Sequence, residues 1–224
     1  MTAPRVCQSR PPSRVLDPEG GIALRAPAMT DIPAVVDAVH ESLDALKAFM
    51  VWAHLENTVD SQYARMTGVI ADFWRGQDYN FNVFTADGQR FLGCVGLHRR
   101  AMNARALEVG YWVRTSAAGR GICTRATRAI AVLAFEHFGC RRLQCGFDVA
   151  NVASARVARK VGFTVEGDLR DYGPAGTDAM RADGFGCAGI NRMTALSADD
   201  ARAQPWYAAT RDRLVVEDWL GAPL

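Results

Sequence analysis

Two kinds of hydrophobic periodicity follow one another along the chain, which predicts a protein of mixed strands and helices. Residues 21–28 (GIALRAPA) alternate as a half-buried strand does. Thr30 is then predicted to cap a helix over the run TDIPAVVDAVHESLDAL, because Pro33 lies near its first turn and a missing N–H costs little there. A second helix is predicted over residues 60–75, after the aromatic-rich link AFMVWAHLEN.

The second half of the chain alternates strands with helices. Asp87-Gly88 is a strong two-residue turn signal between β-rich runs, and it predicts a hairpin over residues 79–100. The elements predicted after it are a strand over 106–113, a helix over 119–138, a buried strand over 141–149, a helix over 151–163 closed by Gly162, and a last strand over 189–197. The predicted order is β-α-α-β-β-β-α-β-α-β.

The two ends of the chain are less regular than its middle. Residues 1–20 contain proline and charge but no apolar run, so we interpret them as a flexible arm that is disordered or loosely docked. Residues 198–220 could form an exposed helix interrupted at Pro205. We therefore expect one domain over residues 21–197, with the arm before it and a helical extension over 198–224 after it.

Composition narrows the class of protein. A chain of 224 residues with 49% apolar content can bury one sizeable core. Its net charge is +2, from 26 basic and 24 acidic residues, so no global field favours nucleic acid or an anionic membrane as a partner. We expect neither of these partners, and a monomer or homodimer.

The cysteines and the lack of long apolar runs bear on the compartment. The six cysteines are scattered, without a CxxC pair or a nearby histidine cluster, which argues against a metal site and against a secreted disulfide scaffold. The first twenty residues lack a run of signal-peptide length, and no later stretch approaches ~20 apolar residues. We expect a soluble, cytoplasmic protein with reduced thiols and no bound metal.

The segment AGRGICT (118–124) places two glycines at the start of a predicted helix whose apolar face is buried, while Arg125 and Arg128 point away from that face. A helix start exposes about four unpaired N–H groups and a partial positive charge. The two glycines would let an anionic group approach those amides, and Arg120 and Thr124 add donors. The pattern predicts a phosphate-binding turn, with an ordinary flexible strand-to-helix turn as the alternative.

Two other phosphate-binding motifs do not fit the same segment. A P-loop needs a lysine followed by Ser or Thr after its glycines, and no lysine follows here. A dinucleotide-binding turn needs GxGxxG directly after a strand of a parallel sheet; here Thr124 replaces the third glycine and a mixed meander precedes Gly119.

Three segments together resemble the GNAT acyltransferase superfamily and, within it, the ribosomal-protein N-acetyltransferases of the RimJ/RimL type. They are EVGYWVRTSAAGRGICTRA (108–126), DVANVASARVARKVGF (148–163) and DALKAFMVWA (44–53), and the resemblance extends over residues 21–172. It implies an α/β GNAT fold: a central mixed, mostly antiparallel sheet with a splayed parallel strand pair, flanked by helices. It also implies an acetyl-CoA-dependent N-acetyltransferase.

The resemblance further implies where acetyl-CoA binds. The cofactor would lie between the splayed parallel strands, with its pyrophosphate at the 119–124 turn and its thioester near residues 110–113. The residues that the resemblance assigns to this site are Trp112, Val113, Arg114, Gly119, Arg120, Gly121, Ile122, Cys123, Thr124, Asn151 and Ser154.

Two departures from the family pattern bear on catalysis. Many relatives carry a tyrosine general acid where this chain has Ala158, so Ser154 is the best remaining proton donor for the leaving thiolate; a helix serine or a local cap is the alternative. RimL-like members also use a carboxylate on the strand after the Gly-Phe pair. The aligned position is Gly173, but Asp171 lies two residues earlier and would point to the same side of an extended strand.

The chemistry requires a base, a positioned amine and stabilisation of an oxyanion, which a backbone N–H near residues 110–113 could supply. Glu108 alternates with Trp112 on one strand face and is a candidate base, although a solvated strand carboxylate has the same pattern. Trp52 and His54 are the predicted residues of the acceptor pocket. The remaining histidines are isolated in the sequence: His40, His98 and His137.

Three functions remain open at this point. The first is transfer of an acetyl group from acetyl-CoA to a primary amine, a protein N-terminus or another α-amine, by direct attack in a ternary complex. The second is the same reaction on a small amine such as a polyamine, an amino acid or a drug. The third is a CoA-binding module without turnover, which the missing tyrosine and Gly173 keep open. We expect the first.

Overall fold

One mixed sheet organises the molecule. The computed structural model of the chain describes residues 10–99, 105–172 and 176–224. The strands in these ranges are β1 (Arg14–Asp17), β2 (Ile22–Arg25), β3 (Asp78–Thr85), β4 (Phe91–His98), β5 (Ala106–Val113), β6 (Arg142–Asp148), β7 (Thr164–Arg170), β8 (Ile190–Ser197) and β9 (Val215–Glu217). Their order across the sheet is β7-β8-β6-β5-β4-β3-β2-β1-β9.

Helices cover both faces of this sheet. They are α1 (Ile32–Glu41), α2 (Leu43–Lys47), α3 (Val59–Arg75), α4 (Ile122–Val132), α5 (Val152–Val161), α6 (Asp178–Ala182), α7 (Ala198–Arg202) and α8 (Tyr207–Arg213). On one face, called here the α4 face, Ile130 of α4 packs with Leu107 of β5, and α5 and α8 pack against α4. On the opposite α1 face, Val35 of α1 and Met66 of α3 pack with Phe91 of β4.

β5 and β6 form the parallel pair among the described strands, and they separate along their length. Their paired rows end at Glu108 and Gln144, whereas β5 continues to Val113 and β6 to Asp148. Each strand stays paired with its other neighbour, β5 with β4 and β6 with β8. A wedge-shaped opening, called here the wedge, therefore lies between residues 109–113 and 145–148, with its apex at Glu108 and Gln144.

The predicted fold class is confirmed. The sheet is mixed and mostly antiparallel, with a splayed parallel pair and helices on both faces. The helix predicted over residues 60–75 is α3, which Thr58 and Ser61 cap reciprocally and Gly76 (φ 70°) ends. Gly162 (φ 101°) closes α5 as predicted.

The structure corrects the expectations for both ends of the chain. Residues 14–17 of the expected flexible arm form β1, which pairs with β2 and with β9; residues 1–9 lie outside the described part of the chain. The predicted C-terminal helix is instead α7, α8 and β9, with Pro205 between the two helices. Both differences arise because β1 and β9 pair across some two hundred residues, which no local pattern reveals. The division into arm, domain and extension stays a prediction.

Three smaller differences concern element boundaries. The predicted first helix is divided at Ser42 into α1 and α2. The helix predicted from residue 119 begins at Ile122, and a π-helical turn over Leu133–His137 continues it. β7 corresponds to the strand that the resemblance implies after the Gly-Phe pair, but the hydrophobic pattern does not predict it. It is an edge strand whose residues are mostly exposed, so it lacks the apolar alternation of a half-buried strand.

Candidate active site

The start of α4 offers backbone donors with little side-chain cover. Gly119 (φ 73°) and Gly121 (φ 77°) adopt the left-handed conformation that favours glycine. The first intrahelical bond runs from Arg125 N to Gly121 O (3.0 Å), so the amides of residues 122–124 begin the helix without intrahelical acceptors. A Cβ on Gly119 would meet no described atom within 4 Å, which leaves room for an anionic group.

Arg125 folds back over this turn. Its Nη1 donates to Arg120 O (3.1 Å) and lies 3.1 Å from the position that a Cβ on Gly121 would take. Its Nε is buried and has no hydrogen-bond partner among the described residues. A phosphate oxygen is a suitable acceptor for an orphaned guanidinium N–H beside unpaired amides, so this turn fits the pyrophosphate of CoA. The sequence pattern predicts no role for Arg125, since helical periodicity does not show that the side chain folds back.

Two other residues predicted for this turn, Cys123 and Thr124, have half-buried and buried side chains respectively. Burial raises the pKa of the Cys123 thiol to about 12, so Cys123 is a neutral filler of the first helical turn. Thr124 is buried in the same turn. Their contribution to an anion is therefore limited to their backbone amides, whereas Arg120 is exposed.

Arg114, which the resemblance assigns to the cofactor, has its guanidinium in contact with two carboxylates of α1. It donates to Glu41 through Nε (2.8 Å) and to Asp37 through Nη2 (2.8 Å), and Glu41 Oε1 also accepts from Ser116 N (2.7 Å). The hydrogen bond from Arg114 lowers the pKa of Glu41 to about 2. The Arg114 side chain thus connects the end of β5 to α1, and its assignment to the cofactor stays a prediction.

Glycines line the wedge on the α1 face. Gly96 of β4 pairs with Gly110 of β5. Beyond the apex, the first position of β5 on the same face as Glu108 is Gly110. The first position of β6 on the same face as Gln144 is Gly146. Gly146 is exposed. These positions carry no side chains of their own, and side chains of neighbouring residues lie over them: His98 over Gly96 and Gly110, and Asn191 and Met193 over Gly146.

Glu108 lies at the apex of the wedge. Gln144 Nε2 donates to Glu108 Oε2 (3.4 Å), and His98 is its register partner on β4. Tyr111 packs on the α4 face and Trp112 on the α1 face, as strand alternation predicts. Glu108 therefore shares the α1 face with Trp112 and with the glycines of the wedge.

On the opposite side of the wedge, Ser154 meets a tyrosine that sequence analysis did not assign to catalysis. Its Oγ lies 3.1 Å from the Tyr111 hydroxyl, and Asn151 Oδ1 accepts from Ser154 N (3.0 Å) as the N-cap of α5. Burial raises the pKa of Tyr111 well above its ordinary value, so its phenol stays protonated. Ala158, where many relatives carry tyrosine, is buried. The chain therefore brings a tyrosine hydroxyl to Ser154 from β5 rather than from α5.

The two predicted acceptor-pocket residues have different surroundings. The Trp52 ring lies 5.9 Å from the Trp112 ring, on the α1 face beside the wedge. His54 has both ring nitrogens engaged, Nε2 with Lys47 O (3.0 Å) and Nδ1 with Asp183 Oδ2 (3.0 Å). His54 thereby connects the segment after α2 with the connection between β7 and β8, and the structure gives it no contact with the wedge.

Asp171 lies far from the apex. It follows β7, at the edge of the sheet and three strands from β5, which is roughly 14 Å at ~4.8 Å per strand. Its backbone has a positive φ of 52° and its amide donates to Gly189 O. The aligned position Gly173 lies outside the described residues. The structure thus does not bring Asp171 and Glu108 together.

Two kinds of feature are absent from the described ranges. None of the helices in them combines the length and apolar character needed to cross a bilayer. Nor do three or more His, Cys, Asp or Glu side chains there lie close enough together to hold a metal ion.

Comparison with known proteins identifies the family. The model of the acetyltransferase (GNAT) domain matches residues 22–164. The probable N-acetyltransferase YjcK of Bacillus subtilis is 30% identical, over 66% of this chain and 83% of its own length. The putative ribosomal N-acetyltransferase YdaF of the same organism is also 30% identical, over 67% and 81% respectively. The ribosomal-protein-serine acetyltransferase of Escherichia coli is 24% identical, over 66% and 82%.

Solved structures share the fold. RimJ of Mycobacterium smegmatis, solved with a CoA disulfide, superposes with a TM-score of 0.72 at 24% identity, over 92% of this chain and 95% of its own. RimL, a ribosomal L7/L12 alpha-N-protein acetyltransferase solved with coenzyme A, gives 0.70 at 23% identity, over 81% and 96%. With a family model that matches most of the sequence, the chain belongs to the GNAT acetyltransferase family and is an acetyl-CoA-dependent N-acetyltransferase.

Proposed function

We propose that the protein acetylates an α-amine at the N-terminus of a polypeptide. The observation that carries the proposal is the glycine-lined wedge on the α1 face, with Glu108 at its apex and the Trp52–Trp112 pair beside it. The wedge ends at the Glu108 carboxylate. A polypeptide N-terminus could enter it with the ammonium group directed toward that carboxylate. Two aromatic rings beside it suit the first side chains of a peptide.

The relatives support the same class of acceptor. The Escherichia coli relative is named as a ribosomal-protein-serine acetyltransferase, and RimL is titled as an alpha-N-protein acetyltransferase. Both names describe proteins whose acceptors are themselves polypeptides.

The protonation chemistry favours an α-amine over a lysine side chain. An α-amine has an ordinary pKa of ~7.7–8.0 and lysine one of ~10.4, so deprotonation at pH 7 costs roughly 1 kcal/mol for the first and ~4.6 kcal/mol for the second. Acetyl-CoA supplies the acetyl thioester. Glu108 provides negative charge where the ammonium arrives, and Ser154, hydrogen-bonded to Tyr111, provides a hydroxyl proton for the thiolate that leaves.

A panel of amines tests this proposal. CoA release would be followed with a thiol reagent, using a lysine-free peptide with a free N-terminus, the same peptide blocked at its N-terminus and carrying one lysine, and a polyamine. We expect the free N-terminus to have the highest kcat/KM. Faster turnover of the polyamine would support the small-amine alternative, and faster turnover of the blocked peptide would refute the preference for α-amines.

A pair of tryptophan variants sharpens the same test. Trp52→Ala should raise KM for the free-terminus peptide by about tenfold, since a buried aromatic contact contributes on the order of 1–3 kcal/mol to binding. Trp219→Ala is the matched control, because Trp219 is 64% exposed and contacts neither Trp52 nor Trp112 in the described structure. Equal KM values for both variants would show that the peptide does not bind beside Trp52.

A further inference from the structure

Three ionisable residues lie in one row across the sheet on the α1 face. Asp78 of β3 is the register partner of His98 on β4, and His98 is the register partner of Glu108 on β5. Opposite residues of an antiparallel pair have Cβ atoms about 4.5–5.5 Å apart and point to the same face. The row therefore leads from the apex of the wedge across β4 to β3.

His98 reaches from this row toward the wedge. Its side chain is 13% exposed, and its Nε2 lies 2.9 Å and 3.3 Å from the positions that Cβ atoms on Gly96 and Gly110 would take. The imidazole thus covers the two glycines. Gly110 is the first residue on this face of β5 beyond the apex, so Nε2 lies beside the entrance to the wedge.

The other ring nitrogen faces a carboxylate. His98 Nδ1 lies 3.2 Å from Asp78 Oδ2, which is within ion-pair distance. The geometry between the two atoms does not meet the criteria for a hydrogen bond. Catalytic hydrogen bonds are often poorly aligned before substrate binds. A carboxylate beside Nδ1 favours the tautomer with hydrogen on Nδ1, which leaves a lone pair on Nε2.

We propose that His98 is the general base of the reaction, that Asp78 orients it, and that Glu108 supplies the negative charge that holds the acceptor ammonium. The inference rests on the proposed function, because it requires an amine that enters the wedge from the α1 face. It gives a role to a histidine that is isolated in the sequence.

The proton transfer balances within this row. An N–H bond of the acceptor ammonium breaks and an Nε2–H bond forms on His98, so the positive charge passes from the substrate to the imidazole. The electron pair left on the amine nitrogen is the nucleophile. Asp78 on one side and Glu108 on the other stabilise the imidazolium until it releases its proton to water.

Chemical rescue tests the assignment. His98→Ala should lower kcat by about 10²–10⁴-fold with the free-terminus peptide, the range typical of general-base catalysis. Added imidazole should restore turnover with saturation, because the removed ring leaves a space beside Gly96 and Gly110. His40→Ala, which removes an exposed histidine on α1, should keep wild-type turnover and gain nothing from imidazole.

Two further measurements separate a base from a packing residue. His98→Gln keeps a side chain over the glycines, and its thermal midpoint and acetyl-CoA affinity should stay near those of the wild type while its kcat falls as in His98→Ala. Long-range ¹H–¹⁵N NMR correlations of His98 should report hydrogen on Nδ1, and Asp78→Asn should reduce that population.

The possible failures are distinguishable. If the wild type acetylates no N-terminal peptide, the proposed function fails. Suppose instead that the wild type acetylates the peptide. If His98→Gln then acetylates it equally fast, the proposed function stands and His98 is not the base. The same conclusion follows if His98→Ala is slow and added imidazole does not raise its rate. Hydrogen on Nε2 in the wild type would likewise overturn the assignment.

Discussion

At the scale of single residues, the site depends on which of two carboxylates faces the acceptor. Glu108 lies at the apex of the wedge beside His98, whereas Asp171 follows an edge strand three strands away. The resemblance pointed toward the strand that carries Asp171, but a charge roughly 14 Å away is largely screened by water. The geometry therefore favours Glu108.

Exchange of each carboxylate for its amide tests this choice. Glu108→Gln should lower kcat by at least ~30-fold and leave acetyl-CoA affinity unchanged, because it removes the negative charge beside the proton in transfer. Asp171→Asn should change kcat less than twofold. Steady-state kinetics and calorimetry would measure both variants, and a large loss in Asp171→Asn alone would favour the position suggested by the resemblance.

At the scale of single elements, the start of α4 combines several local features that favour binding of an anion. Two left-handed glycines, unpaired amides and the orphaned Arg125 Nε lie together at the end of a strand-to-helix turn. Each feature alone is common in proteins, but their coincidence at one turn fits a pyrophosphate. We therefore expect substitutions in this turn to change the affinity for acetyl-CoA more than the rate of acetyl transfer.

Gly121→Glu should abolish binding of acetyl-CoA. The new side chain would require a left-handed backbone, would come within 3.1 Å of Arg125 Nη1 at its Cβ, and would place a negative charge where the phosphates are expected. Calorimetric titration with CoA would measure the loss. Gly139→Glu is a control for strain, since Gly139 also has positive φ (63°) with open space and lies after the far end of α4. Wild-type CoA affinity in Gly121→Glu would overturn the pyrophosphate site.

At the scale of the whole molecule, a few polar contacts hold the helices of the α1 face against the sheet. Arg114 at the end of β5 joins Asp37 and Glu41 of α1, while Asp183 joins Lys47 and His54 near α2. These contacts join segments more than seventy residues apart in the sequence.

The Arg114–Glu41 contact should give the protein an acid-dependent stability. The pKa of Glu41 is about 2 in the folded protein, below its ordinary value of ~4.3, so its contribution is present above ~4.3 and is lost as the pH falls toward 2. Urea unfolding should show Glu41→Gln less stable than the wild type at pH 7, with the difference shrinking by pH 3. Glu19→Gln, at an exposed glutamate, should show a smaller pH-dependent change. A Glu41→Gln deficit that stays constant with pH would contradict this account.

Local features of the sequence were sufficient to predict most of the helices and strands, whereas the mixed sheet with its splayed parallel pair was implied by the resemblance. The apolar alternation of 106–113, the turn at Asp87-Gly88 and the glycine-ended helix α5 each involve neighbours within one or two turns of chain, so their pattern is visible without the structure. The glycine turn before α4 was predicted for the same reason, because a helix start and its glycines are adjacent in sequence.

The tertiary structure alone decided which distant residues meet. The pairing of β1 with β9, the Tyr111 hydroxyl at Ser154 and the row formed by Asp78, His98 and Glu108 all depend on strand order and register. A shift of one residue in the register of these strands would turn Tyr111, or the row of Asp78, His98 and Glu108, to the other face of the sheet. The sequence by itself, through its local patterns and its resemblance to a family, determined a GNAT fold, while the partners of its histidine and its serine were set by long-range pairing that leaves no periodic trace along the chain.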